Sequence, residues 1–324
     1  MEENTEQRID LTLFSEKIQG LKERIASVIV GQEQTVDLVL TAILANGHVL
    51  IEGVPGVAKT LLARLTARLI DADFSRIQFT PDLMPSDVLG TTVFNMKTNE
   101  FDFHKGPIFA DIVLVDEINR APAKTQSALF EVMEERQISI DGTTHRMGEL
   151  YTILATQNPV EQEGTYKLPE AQLDRFLMKI TMDYPSLEEE VDILERHHTN
   201  ASLVKLDSLA PVLTKEELLS LRRLMERVFV DRTLLQYIAL IVQQTRTSKA
   251  VYLGASPRAS VAMMQASKAY ALLQGRDFVT PEDIKFVAPY VLQHRLILTA
   301  EAEMEGYSPV KVTQRLIDKV EVPK

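Results

Sequence analysis

The chain has 324 residues, 45% of them hydrophobic, a globular composition long enough for one large or two ordinary domains. It contains no cysteine, which excludes disulfides and suits a reducing, cytoplasmic setting, and its formal charge of −11 opposes capture of a polyanion such as nucleic acid. No apolar run approaches the roughly 20 residues of a membrane span, and the acidic, polar stretch MEENTEQRID does not read as a secretory signal.

In chain order, residues 1 to about 10 read as a loose end, and apolar residues at helical spacing predict a helix over Leu11–Ile29. Val30-Gly31-Gln32-Glu33 interrupts it before a second helix, Thr35–Asn46, stopped by Gly47. A glycine just ahead of the first core helix lets the backbone approach an adenine in nucleotide hydrolases of this layout. Gly31-Gln32 is therefore either part of a nucleotide site or a plain helix–helix turn. A short strand, His48–Glu52, then meets the loop Gly53-Val-Pro55-Gly56-Val57-Ala58, and a helix begins at once over Lys59–Leu69.

Strand, glycine-rich loop, Lys-Thr and helix is the phosphate-cradling arrangement of P-loop proteins. Backbone N–H groups of the loop and the positive end of the new helix converge on one point, where an anion fits. Gly53, Pro55, Gly56, Val57, Ala58, Lys59, Thr60 and Leu61 are the expected phosphate-binding residues, with Lys59 reaching the outer phosphates and the Thr60 hydroxyl on Mg²⁺. The common pattern G-x-x-x-x-G-K-[ST] has glycine directly before the lysine. Here that position is Ala58, and a surface turn containing a lysine is the alternative.

Ile77–Thr80 reads as a short strand, 81–90 as loop with a short helix, and Thr91–Asn95 with Glu100–His104 as a hairpin inserted into the βαβ layout. The run Ile112–Val115 is continuously apolar, as expected for a strand buried on both faces, and ends in Asp116-Glu117. Acids at the carboxyl end of such a strand sit where α/β sheets carry chemistry. Asp116 is expected on Mg²⁺, and Glu117 is expected to polarise the water that attacks the γ-phosphate of ATP. A helix follows over Ala123–Glu135. A second hairpin comes next, Ile138–Ile140 and Thr143–Met147 about an Asp141-Gly142 turn, and then the strand Tyr151–Thr156. Asn158 lies just beyond that strand, placed to bond the γ-phosphate or the attacking water. Arg175, between a helical pattern and the short strand Leu177–Ile180, pairs either with the adjacent Asp174 or with a neighbouring subunit's phosphate.

From Tyr184-Pro185 on, the βα alternation stops. Capping-box patterns at Ser186/Glu189 and Thr214/Glu217, and the start Thr280-Pro281-Glu-Asp283, open helices. Further helices are predicted at Leu234–Arg246, Ser256–Leu273 and Ser308–Val320, with a linker at 199–211, and the helix opened at Thr280 is expected to run on past Pro289 toward Leu296 with a kink or break at that proline. Arg258 falls in the first turn of one of them, beside exposed N–H donors. The chain thus reads as α/β: a P-loop αβα sandwich with a parallel central sheet and two hairpin insertions over residues 1–184, then an all-α lid domain over 185–324.

The runs GVPGVAKT (53–60), DEINRAP (116–122), EVMEERQ (131–137), ATQNP (155–159), LDRF (173–176) and SPRA (256–259), in this order, closely resemble the MoxR family of AAA+ ATPases, from about Gly31 to Gly306. Ala58 matches what that family commonly carries. The resemblance implies Lys59 and Thr60 as the Walker A pair, Asp116 and Glu117 as Walker B, Asn158 as sensor 1, Arg175 as arginine finger and Arg258 as sensor 2. It also implies a hexameric ring that hydrolyses Mg-ATP, matures protein complexes in a chaperone-like way, and works with a von Willebrand factor A domain protein and a protein client. Rival readings are a nucleic-acid motor or loader, which the charge opposes; an ATP-gated binding switch with little turnover, which Glu117 opposes; and a subunit of a metal-insertion complex of the magnesium-chelatase type.

Overall fold

The computed structural model describes residues 11–159, 164–199, 206 and 209–323. The loose end expected at 1–10 and most of the linker expected at 199–211 lie outside them.

Two helices, α1 (Thr12–Ala26) and α2 (Glu33–Leu44), precede the first strand. α1 buries Ile18, Leu21 and Ile25, one face of a helix. α2 buries nearly every residue from Thr35 to Leu44, because elements cover it on both sides. The chain continues through β1 (Val49–Gly53), α3 (Lys59–Leu69), β2 (Phe74–Gln78), α4 (Pro85–Leu89), β3 (Gly90–Asn95), β4 (Glu100–Lys105) and β5 (Ile112–Asp116). Then come α5 (Ala123–Glu135), β6 (Gln137–Ile140), β7 (Thr143–Arg146), β8 (Thr152–Gln157), α6 (Glu170–Leu173) and β9 (Met178–Met182).

Five of these strands form a parallel sheet in the order β2-β5-β8-β1-β9. Its inner strands are the continuous apolar runs: β5 is buried throughout, and so are Thr152–Thr156 of β8. The chain leaves β1, which lies next to the edge strand β9, for the opposite edge at β2. This crossing creates a switch point, and the crevice beyond the carboxyl ends of the strands there is where such sheets take ligands. β2 spans Phe74–Gln78, not the expected Ile77–Thr80. It is an edge strand in which Ile77 alone is buried, so its apolar pattern carried little register information.

Both hairpins form. β3 pairs with β4 from Gly90↔Lys105 to Asn95↔Glu100, and a Cβ on Gly90 would lie 2.3 Å from the His104 carbonyl, so this junction requires glycine. Asp141 and Gly142 take φ of 50° and 80°, the two left-handed residues of a tight hairpin turn. The hairpins meet: the Phe103 and His145 rings lie 4.3 Å apart.

The remainder is helical: α7 (Leu187–His198), α8 (Lys215–Glu226), α9 (Arg232–Thr247), α10 (Pro257–Leu273), α11 (Pro281–Leu292), α12 (Ala300–Met304) and α13 (Pro309–Asp318). The three expected capping pairs close in both directions, as at Ser186, whose N–H reaches Glu189 Oε2 at 2.6 Å. Among the helices runs a two-stranded antiparallel pair, β10 (Val251–Leu253) and β11 (Ile297–Leu298), that sequence periodicity did not reveal, since runs of three and two residues carry no readable period. α11 continues through Pro289 for one more turn and ends at Leu292, with the Gln293 N–H closing on the Pro289 carbonyl at 3.0 Å. α10 packs against α2, α9 and α11, so one apolar core runs from the sheet's helices into the helical region. Alanines 259, 262, 266 and 269 keep α10 slim enough for that approach.

Candidate active site

β1 is hydrogen-bonded on both sides, to β8 and β9, so the loop it delivers starts from a fixed point. A Cβ on Gly53 would stand 2.8 Å from the Met182 carbonyl, so only glycine lets β1 lie this close to β9 here. Gly56 (φ 91°) and Ala58 (φ 62°) then turn the chain into α3. The first intrahelical bond runs from Leu62 N–H to the Ala58 carbonyl, and no side chain caps the helix. Lys59, Thr60 and Leu61 therefore stand at the positive end of α3, where they line a cavity of about 410 Å³. The Val57 side chain turns inward to the core instead, 7% exposed.

Lys59 folds back on its own loop, donating to the Gly53 carbonyl and, at 2.8 Å, to the Val54 carbonyl. Burial lowers its pKa from the ordinary lysine value, and the charges of Asp116 and Glu117 oppose that shift. Asp116, 7% exposed at the end of β5, accepts from Thr156 Oγ1 at 3.0 Å, from Arg76 Nε at 2.6 Å and from Thr60 Oγ1 at 3.5 Å. Thr60 and Asp116 are thus adjacent oxygen donors of the kind Mg²⁺ takes. Among the described residues no group of three or more acidic or histidine side chains could hold a metal alone.

Glu117 occupies the left-handed region (φ 56°), a conformation that costs an L-residue roughly 1–2 kcal/mol. It is held there by its N–H bond to Thr156 Oγ1 at 3.0 Å and by the turn that closes Arg120 N–H on the Glu117 carbonyl at 2.8 Å. Its carboxylate accepts from Gln78 Nε2 at 3.0 Å and pairs with Arg120 Nε at 2.9 Å. Strain of this kind collects at functional positions. Asn158, 8% exposed beyond β8, lines the same cavity.

Sequence reasoning missed three residues of this cavity: Arg76, Gln78 and Thr156. Thr156 is the most connected, with one hydroxyl joining the Asp116 carboxylate to the Glu117 backbone. Its position two residues before Asn158, on the strand beside β5, was the available signal. Gln78 would have stood out had β2 been placed correctly, since it pairs with Asp116 across the sheet.

The remaining expected residues lie outside the cavity lining. Gly31 (φ 71°) abuts the Glu189 carboxylate, which a Cβ would overlap at 2.3 Å, and Gln32 accepts from Thr35 Oγ1 at 2.8 Å. Arg175 does not pair with Asp174, whose partner is Arg295 at 2.6 Å. Instead Arg175 donates to the Phe130 carbonyl at 2.5 Å and lies 4.0 Å from Glu134, the same carboxylate that Arg258 meets at 2.9 Å. Arg175 precedes β9 at the amino end of the sheet, beside the start of β1, to which Leu177 N–H bonds at His48 O. The phosphate loop leaves the opposite end, about 16 Å along the five-residue strand. The two arginines therefore converge on Glu134, away from the phosphate loop of their own chain.

A phosphate loop, a buried strand ending in Asp-Glu, a polar side chain on the next strand and a helical lid define an AAA-class P-loop fold. The family model for the ATPase family associated with various cellular activities (AAA) matches residues 48–178, and that for the AAA lid domain matches residues 243–318. The chain is 50% identical to the protein YeaC of Bacillus subtilis over 93% of both chains. It is 46% identical to the chaperone MoxR1 of Mycobacterium tuberculosis, over 93% of this chain and 81% of that one. A crystal structure from Cytophaga hutchinsonii superposes with a TM-score of 0.87 at 41% identity, covering 96% of each chain. The chain belongs to the MoxR family of AAA+ ATPases.

Proposed function

We propose that this protein hydrolyses Mg-ATP at sites shared between subunits of a homo-oligomeric ring, a hexamer, and uses the cycle to remodel or mature a protein complex in the cytoplasm. The observation that carries the reading is the division of the expected machinery. Lys59, Thr60, Asp116, Glu117 and Asn158 surround one cavity, while Arg175 and Arg258 stand together elsewhere on Glu134. A site whose two expected arginines, Arg175 and Arg258, stand elsewhere in its own chain is open to completion by those of a second.

In this reading the N–H groups at the start of α3 and the Lys59 ammonium, released from the loop carbonyls, hold the β- and γ-phosphates. Thr60 and Asp116 hold Mg²⁺, which neutralises developing phosphate charge when bound. Glu117 orients and polarises the attacking water, and Asn158 fixes the water or the γ-phosphate from the other side. Arg175 of the adjacent subunit stabilises charge as the phosphoryl group transfers, and Arg258 serves the same shared site. The chain divides near residue 184 into a nucleotide-binding core and a lid, whose relative motion is the mechanical output. The chaperone designation of the relative MoxR1 supports a protein client; a von Willebrand factor A domain protein as partner rests on the resemblance to the family alone.

Purified protein assayed for ATP binding and turnover across protein concentrations tests this. Lys59→Ala should lose nucleotide binding, and Glu117→Gln should bind ATP while hydrolysing it about 10²–10⁴-fold more slowly. Arg175→Ala should bind ATP normally and lose on the order of 10³-fold in rate. Turnover that is independent of concentration and indifferent to Arg175→Ala would sink the shared-site reading.

A further inference from the structure

Three residues just past the end of α11 grip the segment that carries Arg175. The Arg295 side chain is 3% exposed, and all five of its N–H donors are used. Nε bonds Asp174 Oδ1 at 2.6 Å. Nη2 bonds the carbonyls of Phe176 at 2.7 Å and Asp174 at 3.2 Å, and Nη1 bonds those of Leu177, at 3.2 Å, and Val291. His294 Nε2 adds a bond to the Phe176 carbonyl at 3.0 Å, and Gln293 Nε2 one to the Lys179 carbonyl at 2.5 Å. The other oxygen of Asp174 accepts from Ser256 Oγ at 3.1 Å, and Ser256 is the N-cap of α10, two residues ahead of Arg258.

An ion pair that merely joins two elements needs one carboxylate and one or two donors. This guanidinium instead fixes carbonyls on both sides of Arg175, whose own side chain remains 30% exposed. Phe176, fully buried and edge-on to Phe130 with centroids 5.9 Å apart, prevents the segment from rotating. Burial lowers the pKa of Arg295, and its bond to and charge interaction with Asp174 push back, as expected for a cation desolvated to serve one fixed geometry. The planar fork matters: lysine would keep the charge but offer three donors from a flexible stem.

We propose that Arg295 is a positioning residue for Arg175, holding the backbone from which Arg175 is presented to the adjacent subunit's phosphate site and tying that presentation to the helices of the lid. This rests on the reading of Arg175 as a residue acting across subunits. It adds that the presentation of Arg175 depends on a clamp supplied from the lid side, so that a shift of the lid against the core in one subunit loosens or tightens the arginine offered to the site of its neighbour.

The test uses R295K and D174N in the full-length protein, with R175A as reference and E117Q as mixing partner. ATP affinity is read with a fluorescent ATP analogue, and turnover by phosphate release. R295K should leave nucleotide affinity unchanged and lower kcat about 10²-fold, the effect of an ångström-scale misplacement. D174N should act in the same direction and serves if R295K does not fold. Co-assembly of R295K with E117Q should restore turnover above that of either parent, toward about a quarter of the wild-type rate for random mixing. Half of the head-to-tail interfaces then hold an intact Glu117, and half of those an intact clamp. Wild-type kcat in both R295K and D174N overturns the inference. So does a lack of rescue in R295K/E117Q assemblies where R175A/E117Q assemblies are rescued, and that outcome leaves the shared-site reading standing. Full activity in R175A alone would remove the shared-site reading and this inference with it.

Discussion

Replacement of His48 by glutamine should flatten the acid limb of the protein's stability. His48 immediately precedes β1 and is buried. Its Nε2 donates to the Met133 carbonyl at 3.1 Å and its Nδ1 accepts from the Ile153 N–H at 3.0 Å, so the ring is neutral and joins β1, α5 and β8. Burial, then the charge of Arg136, pushes its pKa from 6.5 to about 3; the bond to Met133 resists, and Arg222 adds to the fall. The folded pKa lies below the unfolded one, so the unfolded chain binds the extra proton. The stabilisation is whole above pH 6.5 and is lost as pH falls from 6.5 toward 3. At about 1.4 kcal/mol per unit, this one group removes about 2 kcal/mol between pH 7 and pH 5, and about 5 kcal/mol if the whole gap is traversed. Urea unfolding of wild type and His48→Gln at several pH values between 7.5 and 5 isolates the effect. His294, also buried and held well below its ordinary value, and the surface carboxylates titrate alike in both proteins. The variant should be less stable at pH 7.5, by about 1–3 kcal/mol for disturbed buried bonds, and the difference should shrink by about 2 kcal/mol at pH 5. Parallel pH profiles, within about 0.5 kcal/mol, would refute the burial argument.

Ala58→Gly should stabilise the protein by about 0.5–1 kcal/mol in denaturant unfolding and keep its ATP affinity. Relief of the left-handed strain exceeds the flexibility that glycine adds to the unfolded chain; net destabilisation would show that the methyl group packs. Thr156→Val keeps the shape but removes the donor to Asp116 Oδ1 and the acceptor of the Glu117 N–H, so a loss of about 1–3 kcal/mol and a weaker response of turnover to Mg²⁺ are expected; unchanged stability would contradict the bridging role of that hydroxyl. Arg76 pairs with the oxygen of Asp116 that faces Thr60, yet its side chain is half exposed. Arg76→Ala should therefore lower the Mg²⁺ concentration for half-maximal turnover by no more than about fivefold, the worth of an exposed ion pair, and a rise in that midpoint would mean that Arg76 serves the phosphates instead.

What the sequence alone determined was the chemistry that is local in the chain. The phosphate loop, the apolar run ending in Asp116-Glu117, the Asp141-Gly142 turn and the capping pairs at Ser186, Thr214 and Thr280 each depend on residues within a few positions of one another, so spacing and residue type suffice. The tertiary structure decided which of these parts meet. Asp174 and Arg175 are neighbours in the chain, and an ion pair between them was one of two open readings; packing gave Asp174 to Arg295, 121 residues away, and left Arg175 to share Glu134 with Arg258. Arg76, Gln78 and Thr156 entered the cavity because a parallel sheet brings the carboxyl ends of β2, β5 and β8 together. Strand order follows from the burial of whole faces against helices, a property of the assembled chain that no stretch of it carries by itself.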